Sequence, residues 1–374
     1  MVLGILSCSV YLKTTYRMRT NCYKRLGDYI REVDVRNRDL SVTTLLGVSI
    51  SKGFIPSIAN TIGTDMSTYK IVRKGQFAYG PVTSRNGDKV SIALLANEDN
   101  AIISQAYTVF EVKDANDLLP EYLMMWFRRS EFDRYARFHS HGSAREIFDW
   151  SEMCDVVLPI PSIERQREIV AEYETLSKRI RLNEQMVSTL EATAQTLYRK
   201  MFVDGIDKEN LPTGWRMGTL DDIIEIRNGK AIIPSDGNIP IYGGNGIVGY
   251  TSESNAKDVV IIGRVGINCG SLFLHHGECF VNDNAMMTTS KSGHIGYIYL
   301  TLQQIDLNGQ SEGSGQPLLT QSIINNQPCI IPSLNYIKDF ELQVQIIYNN
   351  RQLLEKENEK LTELQSLLLA KMGQ

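Results

Sequence analysis

Few residues in this chain have both the type and the spacing that chemistry needs. His275-His276 with Cys279 supplies three metal-ligand types, but no fourth stands at a spacing that closes a tetrahedral site, so the trio reads as surface residues in a hairpin. Gly263-Arg264-Val265-Gly266 is too short for a dinucleotide fingerprint and reads as a tight turn after a strand. Asn282-Asp283-Asn284-Ala285 lacks the prolines of the motif with which base methyltransferases hold their target. Glu253 with Lys257 reads as a chance pair rather than a nuclease fragment. No GxxxxGK[ST] loop is present to cradle phosphates. With no nucleophile, base and oxyanion-stabilising set legible, the chain reads as a binding device rather than an engine.

The elements that would carry such a device are set by an internal repeat. His141-Gly142-Ser143 recurs as Glu312-Gly313-Ser314, Leu158-Pro159-Ile160-Pro161-Ser162 as Cys329-Ile330-Ile331-Pro332-Ser333, and Lys200-Met201 as Lys371-Met372, all at an offset of 171 residues. Upstream, Leu26-Gly27-Asp28-Tyr29-Ile30 resembles Leu220-Asp221-Asp222-Ile223-Ile224 at an offset of 194, so the copies differ in length only before the shared part. Two copies at so long a period indicate a duplicated domain rather than a solenoid.

Each copy ends in a long helix. Ser162 is a good N-cap, Glu164 favours the helix start, and no proline or glycine follows before Met201. Ile169, Tyr173, Leu176, Ile180, Asn183, Val187, Leu190, Ala194, Leu197 and Met201 are spaced alternately four and three apart, a heptad seam with one polar intruder. The second copy gives Phe340, Val344, Ile347, Arg351, Leu354, Asn358, Leu361, Gln365, Leu368 and Met372, with Arg351, Asn358 and Gln365 breaking the seam. A lone amphipathic helix of about 38 residues, roughly 57 Å long, is not stable in water. The simplest partner for each is the other, packed antiparallel, with Asp204-Gly205 and Leu211-Pro212-Thr213-Gly214 as the linker.

Ahead of the helices the pattern is mixed α/β. Tyr69 to Val72, Ser91 to Leu95, Tyr107 to Phe110, Val259 to Ile262 and Ser271 to Leu274 read as short strands, Glu121 to Phe138 as a helix, and Pro81 to Lys89 and Gly243 to Gly249 as polar loops.

The chain has 374 residues, room for two or three domains, with 43% hydrophobic and 22% charged residues, ordinary globular usage. No apolar run is long enough to span a membrane. Six scattered cysteines without a CxxC pair suit a reducing cytoplasm. Met1 to Leu12 is apolar but has no basic start, so it reads as a tail rather than a secretion signal, and Met18 offers an internal start. Net charge is −4; residues 1–160 hold 20 Lys+Arg against 18 Asp+Glu, and residues 211–330 hold 6 against 10. Any grip on nucleic acid must therefore use local patches or a partner's charge.

These residues match a known pattern. Leu158-Pro159-Ile160-Pro161 followed by Glu164, Gln166 and Ile169 is similar to the proline-rich start of a conserved helix in the specificity subunits of type I DNA restriction-modification systems. Leu211-Pro212 with Gly214-Trp215 resembles the start of that family's second recognition domain. Ile239 to Gly246, Ile262 to Gly266, Asn282 to Ala285, and Gly313-Ser314-Gly315-Gln316-Pro317 with Leu319 and Ser322 are similar to patterns within it. The resemblance covers roughly residues 20–374. It departs at Asn335-Tyr336-Ile337, where the second copy lacks the Glu and Gln of the first, and in the acidity of the second recognition domain.

The resemblance implies a non-catalytic, cytoplasmic subunit that reads double-stranded DNA at a bipartite target. It implies an antiparallel coiled coil that holds two recognition domains apart and docks two modification (methyltransferase) subunits, with restriction (translocase-nuclease) subunits completing the complex. No cofactor is expected on this chain; S-adenosylmethionine, ATP and Mg belong to the partners. The expected α+β architecture is an N-terminal tail (1–20), recognition domain 1 (21–160), spacer helix 1 (161–203), a linker (204–214), recognition domain 2 (215–331) and spacer helix 2 (332–374). Asn and Gln suit adenine edges and Arg suits guanine. On that basis Lys52, Arg85, Asn86, Arg128, Ser143 and Arg145 are expected to contact DNA from the first domain, and Lys230, Asn245, Arg264, Asn268, Asn284, Ser314 and Gln316 from the second. The alternative is a coiled-coil adaptor that binds protein without reading DNA, which the acidic second domain favours.

Overall fold

In the computed structural model, residues 23–57, 63–84, 87, 89–142, 145–312 and 317–373 are described; the N-terminal tail and both starts, Met1 and Met18, lie outside them. The chain divides into two units, Met1–Arg181 with Asn358–Gln374, and Leu182–Glu357, so each of the two long helices contributes to both.

The first unit runs β1 (Tyr23–Arg25), β2 (Ile30–Val33), β3 (Leu46–Val48), β4 (Phe54–Pro56), β5 (Lys70–Arg73), β6 (Phe77–Tyr79), β7 (Ile92–Leu94), β8 (Asn100–Ile103), β9 (Thr108–Val112), α1 (Pro120–Phe127), α2 (Ser130–Phe138), α3 (Trp150–Asp155), β10 (Val157–Pro159) and into α4 (Ile163–Phe202). A four-stranded antiparallel sheet in the order β2-β9-β6-β7 carries the core, beside the pairs β1-β10, β3-β4 and β5-β8. Phe77 stacks on Phe110 at 4.8 Å between ring centroids, and Phe127 of α1 meets both edge-on. The single helix expected over Glu121 to Phe138 is two: Arg129 is extended (φ −70°, ψ 139°), because its buried guanidinium folds back 4.3 Å over the Trp126 ring.

The second unit runs β11 (Arg216–Thr219), β12 (Ile224–Asn228), β13 (Ile239–Gly243), β14 (Gly246–Thr251), β15 (Ala256–Gly263), β16 (Leu272–Val281), β17 (Ala285–Ser290), α5 (Ile295–Gln303), α6 (Gln321–Asn325), β18 (Pro328–Ile331) and α7 (Leu334–Lys371). Its six-stranded sheet has the order β12-β17-β15-β16-β13-β14. The first four strands reproduce β2-β9-β6-β7 in order and antiparallel sense. The register repeats as well: Ile30 faces Val112 as Ile224 faces Ser290, and Lys24 faces Leu158 as Gly218 faces Cys329. Lys113 bonds the carbonyls of Gly27 and Asp28, and Lys291 bonds that of Asp221. The fold is thus an α+β pseudo-repeat, two copies of one domain.

Two sequence expectations change here. Gly243 to Gly249 is the turn of a β13-β14 hairpin and the start of β14, not a loop, because the glycines allow the tight reversal at Gly246 (φ +92°). His275 and His276 are half-buried within β16 rather than exposed in a hairpin; burial lowers the His275 pKa, and its Nδ1 lies 3.2 Å from the Tyr242 hydroxyl.

The helices pair within each unit, and number rises along one as it falls along the other. In the first unit Gln365 donates to the Ser177 hydroxyl at 2.7 Å and Asn358 to the Ile180 carbonyl at 3.4 Å; in the second, Asn183 donates to Glu357 at 3.0 Å and Arg351 meets Glu191 at 2.9 Å. The pairing is therefore antiparallel. Every seam position from Ile169 to Met201 and from Phe340 to Met372 is buried or half-buried, including the polar intruders. The C-terminal end of α7 enters the first core, where Met372 is buried, while Ala194, Tyr198 and Phe202 of α4 enter the second.

Each domain is also stitched to its helix by one side chain. Buried Gln166 accepts the Leu119 N–H at 2.8 Å and donates to the carbonyls of Asp117 and Pro161, both at 2.9 Å, satisfying backbone at the start of α1. Its counterpart in the repeat is Ile337, buried in the second core. The same duty passes one turn along α7 to Glu341, which accepts the N–H groups of Gly296 and Tyr297 at 2.9 and 2.8 Å, at the positive end of α5. The Asn335-Tyr336-Ile337 departure is thereby compensated. Glu341→Ala is expected to lower the stability of the second unit by about 1.5–3 kcal/mol, as loss of a charged acceptor from two backbone donors does, seen as a reduced urea midpoint. An unchanged midpoint would remove Glu341 from this role.

Candidate nucleic-acid interface

The same end of both sheets gathers polar loops. In the first unit β6 leaves the sheet through Gly80, Pro81, Val82 and Thr83, bonded to the chain at 146–148: Thr83 N–H to the Glu146 carbonyl at 3.0 Å and Phe148 N–H to that of Pro81 at 2.8 Å. In the second, β15 leaves through Gly263, Arg264, Val265 and Gly266, with Gly266 N–H on the Pro317 carbonyl at 2.9 Å and Leu319 N–H on that of Arg264 at 2.9 Å. His141 bridges Ile147 as Glu312 bridges Leu318, so this pairing recurs in both units as well.

In the second unit, glycines let three loops close on one another. A methyl group at Gly263 would sit 2.4 Å from the Asn268 carbonyl oxygen and 2.7 Å from that of Gly244, and one at Gly229 only 1.9 Å from that of Asn282. Arg264 N–H donates to the Asn284 carbonyl at 3.1 Å, and the Asn282 side chain accepts the Asn284 N–H at 2.9 Å. This brings Arg264, Asn268 and Asn284 together, with Asn245 exposed at the adjoining β13-β14 turn and Lys230 exposed beside Val281, its N–H 3.1 Å from that carbonyl. The Arg264 Nε is buried without a hydrogen-bond partner. Asp221, Asp222 and Glu225 stand toward the opposite end of β12, so part of this domain's acidity is directed away from the gathered loops.

The first unit is less uniform. Arg145 is exposed and lines a cavity of about 250 Å³ with Pro81, Val82, Ser91 and Tyr107. Arg128 lies elsewhere, 5.5 Å over the Tyr173 ring of α4, in a cleft of about 490 Å³ that Glu98, Glu121 and Glu174 also line. Those carboxylates would repel a phosphate. Lys52 is corrected outright: it is 6% exposed, its Nζ is 2.7 Å from Asp133 and also bonds the Phe127 carbonyl, so its charge is spent inside the fold. Burial pushes the Lys52 pKa down, and Asp133 pulls it back. Arg85, Asn86, Ser143, Ser314 and Gln316 lie outside the described residues. Missed in the sequence were His139 and His141, which share the carboxylate of Glu152 at 3.0 and 3.6 Å beside the first unit's loop, and Asn282, the brace of Asn284. Only the spacing of Asn282 to Asn284 could have signalled the last.

No helix among the described residues is long and apolar enough to cross a membrane, and no group of three or more His, Cys, Asp or Glu among them is placed to hold a metal ion.

Comparison with known proteins agrees with this architecture. Residues 47–192 and 212–364 each match the family model described as the type I restriction modification DNA specificity domain. The chain is 22% identical to the type I restriction enzyme HindI specificity subunit of Haemophilus influenzae, over 81% of this chain and 86% of that one. It is 30% identical to the EcoprrI specificity subunit of Escherichia coli over 31% of each. The crystal structure of the type I restriction-modification S subunit from M. genitalium aligns with a TM-score of 0.60 and 16% identity, covering 96% of this chain and 98% of that one. With two matched domains covering most of its length, the chain belongs to the type I restriction-modification DNA specificity family.

Proposed function

We propose that each unit reads one half of a bipartite double-stranded DNA target, and that the chain acts without catalysis, in the cytoplasm, as the reader for modification and restriction subunits. The observation that carries this is the recurrence, in both units, of one loop-bearing sheet end built on the same hydrogen bonds. The second unit's gathered loops offer amides and a guanidinium, donors and acceptors for base edges, rather than a nucleophile and its base. Arg145, Lys230, Asn245, Arg264, Asn268 and Asn284 are the described contacts we assign. Arg85, Asn86, Ser143, Ser314 and Gln316 keep the same assignment from the sequence.

The long helices supply the surface for partners. Leu342, Ile346 and Leu353 of α7, all in the second unit, are each more than 50% exposed and fall within about 40° of helical arc, off the seam. We assign this stripe to the modification subunits. S-adenosylmethionine stays with those subunits, and ATP and Mg with the restriction subunits.

Footprinting of the chain with its modification subunit should protect two half-sites around unspecified base pairs; one contiguous block would refute the reading. Lys230→Ala should weaken binding evenly across sequences and reduce the slope of log affinity against log salt by about 1. An unchanged slope would remove Lys230 from the phosphate contacts. Binding that ignores salt altogether would favour the protein adaptor instead.

A further inference from the structure

Ile267 is 92% exposed, the most exposed large apolar side chain among the described residues. An exposed aliphatic residue alone means little. What sets this one apart is the loop that holds it. Gly263 N–H bonds the Ser271 carbonyl at 2.9 Å, and Gly270 N–H returns to the Gly263 carbonyl at 2.8 Å. Inside that clasp Cys269 N–H bonds the Gly266 carbonyl at 3.0 Å, and Ser271 N–H bonds that of Asn268 at 3.1 Å. Asn308 ties the Cys269 carbonyl from outside at 2.8 Å, and the Cys269 side chain is buried. The backbone is fixed on both sides of a side chain that packs on nothing, so the entropy of ordering this loop is already spent before any ligand arrives.

The neighbours say what that ligand surface is. Ile267 projects from the loop that carries Arg264 and Asn268, a loop that the Arg264 N–H ties to the Asn284 carbonyl. An aliphatic tip among amide and guanidinium groups matches the major-groove edge of an A·T pair, which shows a C5-methyl group beside hydrogen-bonding atoms. We infer that Ile267 is a specificity-determining residue of the second unit, making an apolar contact with a thymine methyl group in the half-site that unit reads. The inference rests on the half-site reading proposed above.

The test uses the full chain in complex with its modification subunit. Each thymine of the protected half-sites is replaced in turn by deoxyuridine, which removes only the methyl group. At one position of one half-site the wild type should lose about fourfold in affinity, the worth of one buried methyl-sized group. Ile267→Ser should bind the thymine site more weakly and lose its sensitivity to deoxyuridine at that position alone, while Ile267→Val keeps it. The urea midpoint of Ile267→Ser should match the wild type, because the side chain contributes no packing. Equal deoxyuridine penalties in wild type and Ile267→Ser overturn the inference, as does a half-site with no methyl-sensitive position. So does a variant whose only change is a smaller DNA bend, the mark of a wedge between base steps. Failure of the wild type to protect two half-sites is a separate outcome and counts against the half-site reading itself.

Discussion

Asp133→Ala is expected to lower the stability of the first unit by about 3–5 kcal/mol, the range for removing one partner of a buried ion pair. The side chains of Lys52 and Asp133 are 6% and 12% exposed, so loss of Asp133 leaves a largely buried ammonium with the Phe127 carbonyl as its remaining partner. Asp133 also accepts the Val90 N–H at 3.0 Å, so its loss strands a backbone donor as well. Lys52 sits there on a left-handed backbone (φ +64°). The double variant Lys52→Met with Asp133→Leu removes both charges and should recover most of the loss, leaving the cost of the unpaired Val90 donor. Urea denaturation followed through Trp126 and Trp150, both in the first unit, measures the difference. If single and double variants unfold together, the pair is not the reason for the residue types.

Phe340→Ala should destabilise the second unit by about 3–5 kcal/mol, as removal of a fully buried aromatic ring does. Phe340 is 0% exposed, and its ring centroid lies 4.9 Å from that of Phe202, 5.9 Å from Tyr198 and 6.4 Å from Tyr297. These rings come from α7, α4 and α5, so one truncation loosens the joint between both long helices and their domain. Peptide-resolved hydrogen exchange should show lost protection in α5 and at Phe202. Unaltered exchange there would mean that the helices lend this core nothing.

The long helices and their seam were legible because a three-four apolar rhythm over ten positions has no competing explanation. The repeat was legible because shared packing holds landmark spacing fixed. The sheet order was not, because strands such as β6 are only three residues long and buried throughout, which leaves no alternation to read. The break between α1 and α2 has no proline or glycine to announce it; it depends on a contact between Arg129 and Trp126 that exists only once both are folded. Lys52 failed as a DNA contact for a related reason. A lysine beside a glycine reads as solvated loop, and only the tertiary position of Asp133 shows it to be internal. The gathered loops of the second domain were visible as composition but not as an assembly, since the close approaches of Gly263 to Gly244 and of Gly229 to Asn282 join segments far apart in sequence.

The second unit is one continuous stretch of chain, Leu182–Glu357, whereas the first needs Met372 to fill its core. On the ribosome, the half that is translated first is therefore finished last. Its early strands must wait, with an open apolar face, while the later half is made and closes. A nascent chain stalled before residue 368 would carry one mature reader and one unfinished one, an exposed intermediate for chaperones to hold until the last turn of α7 emerges.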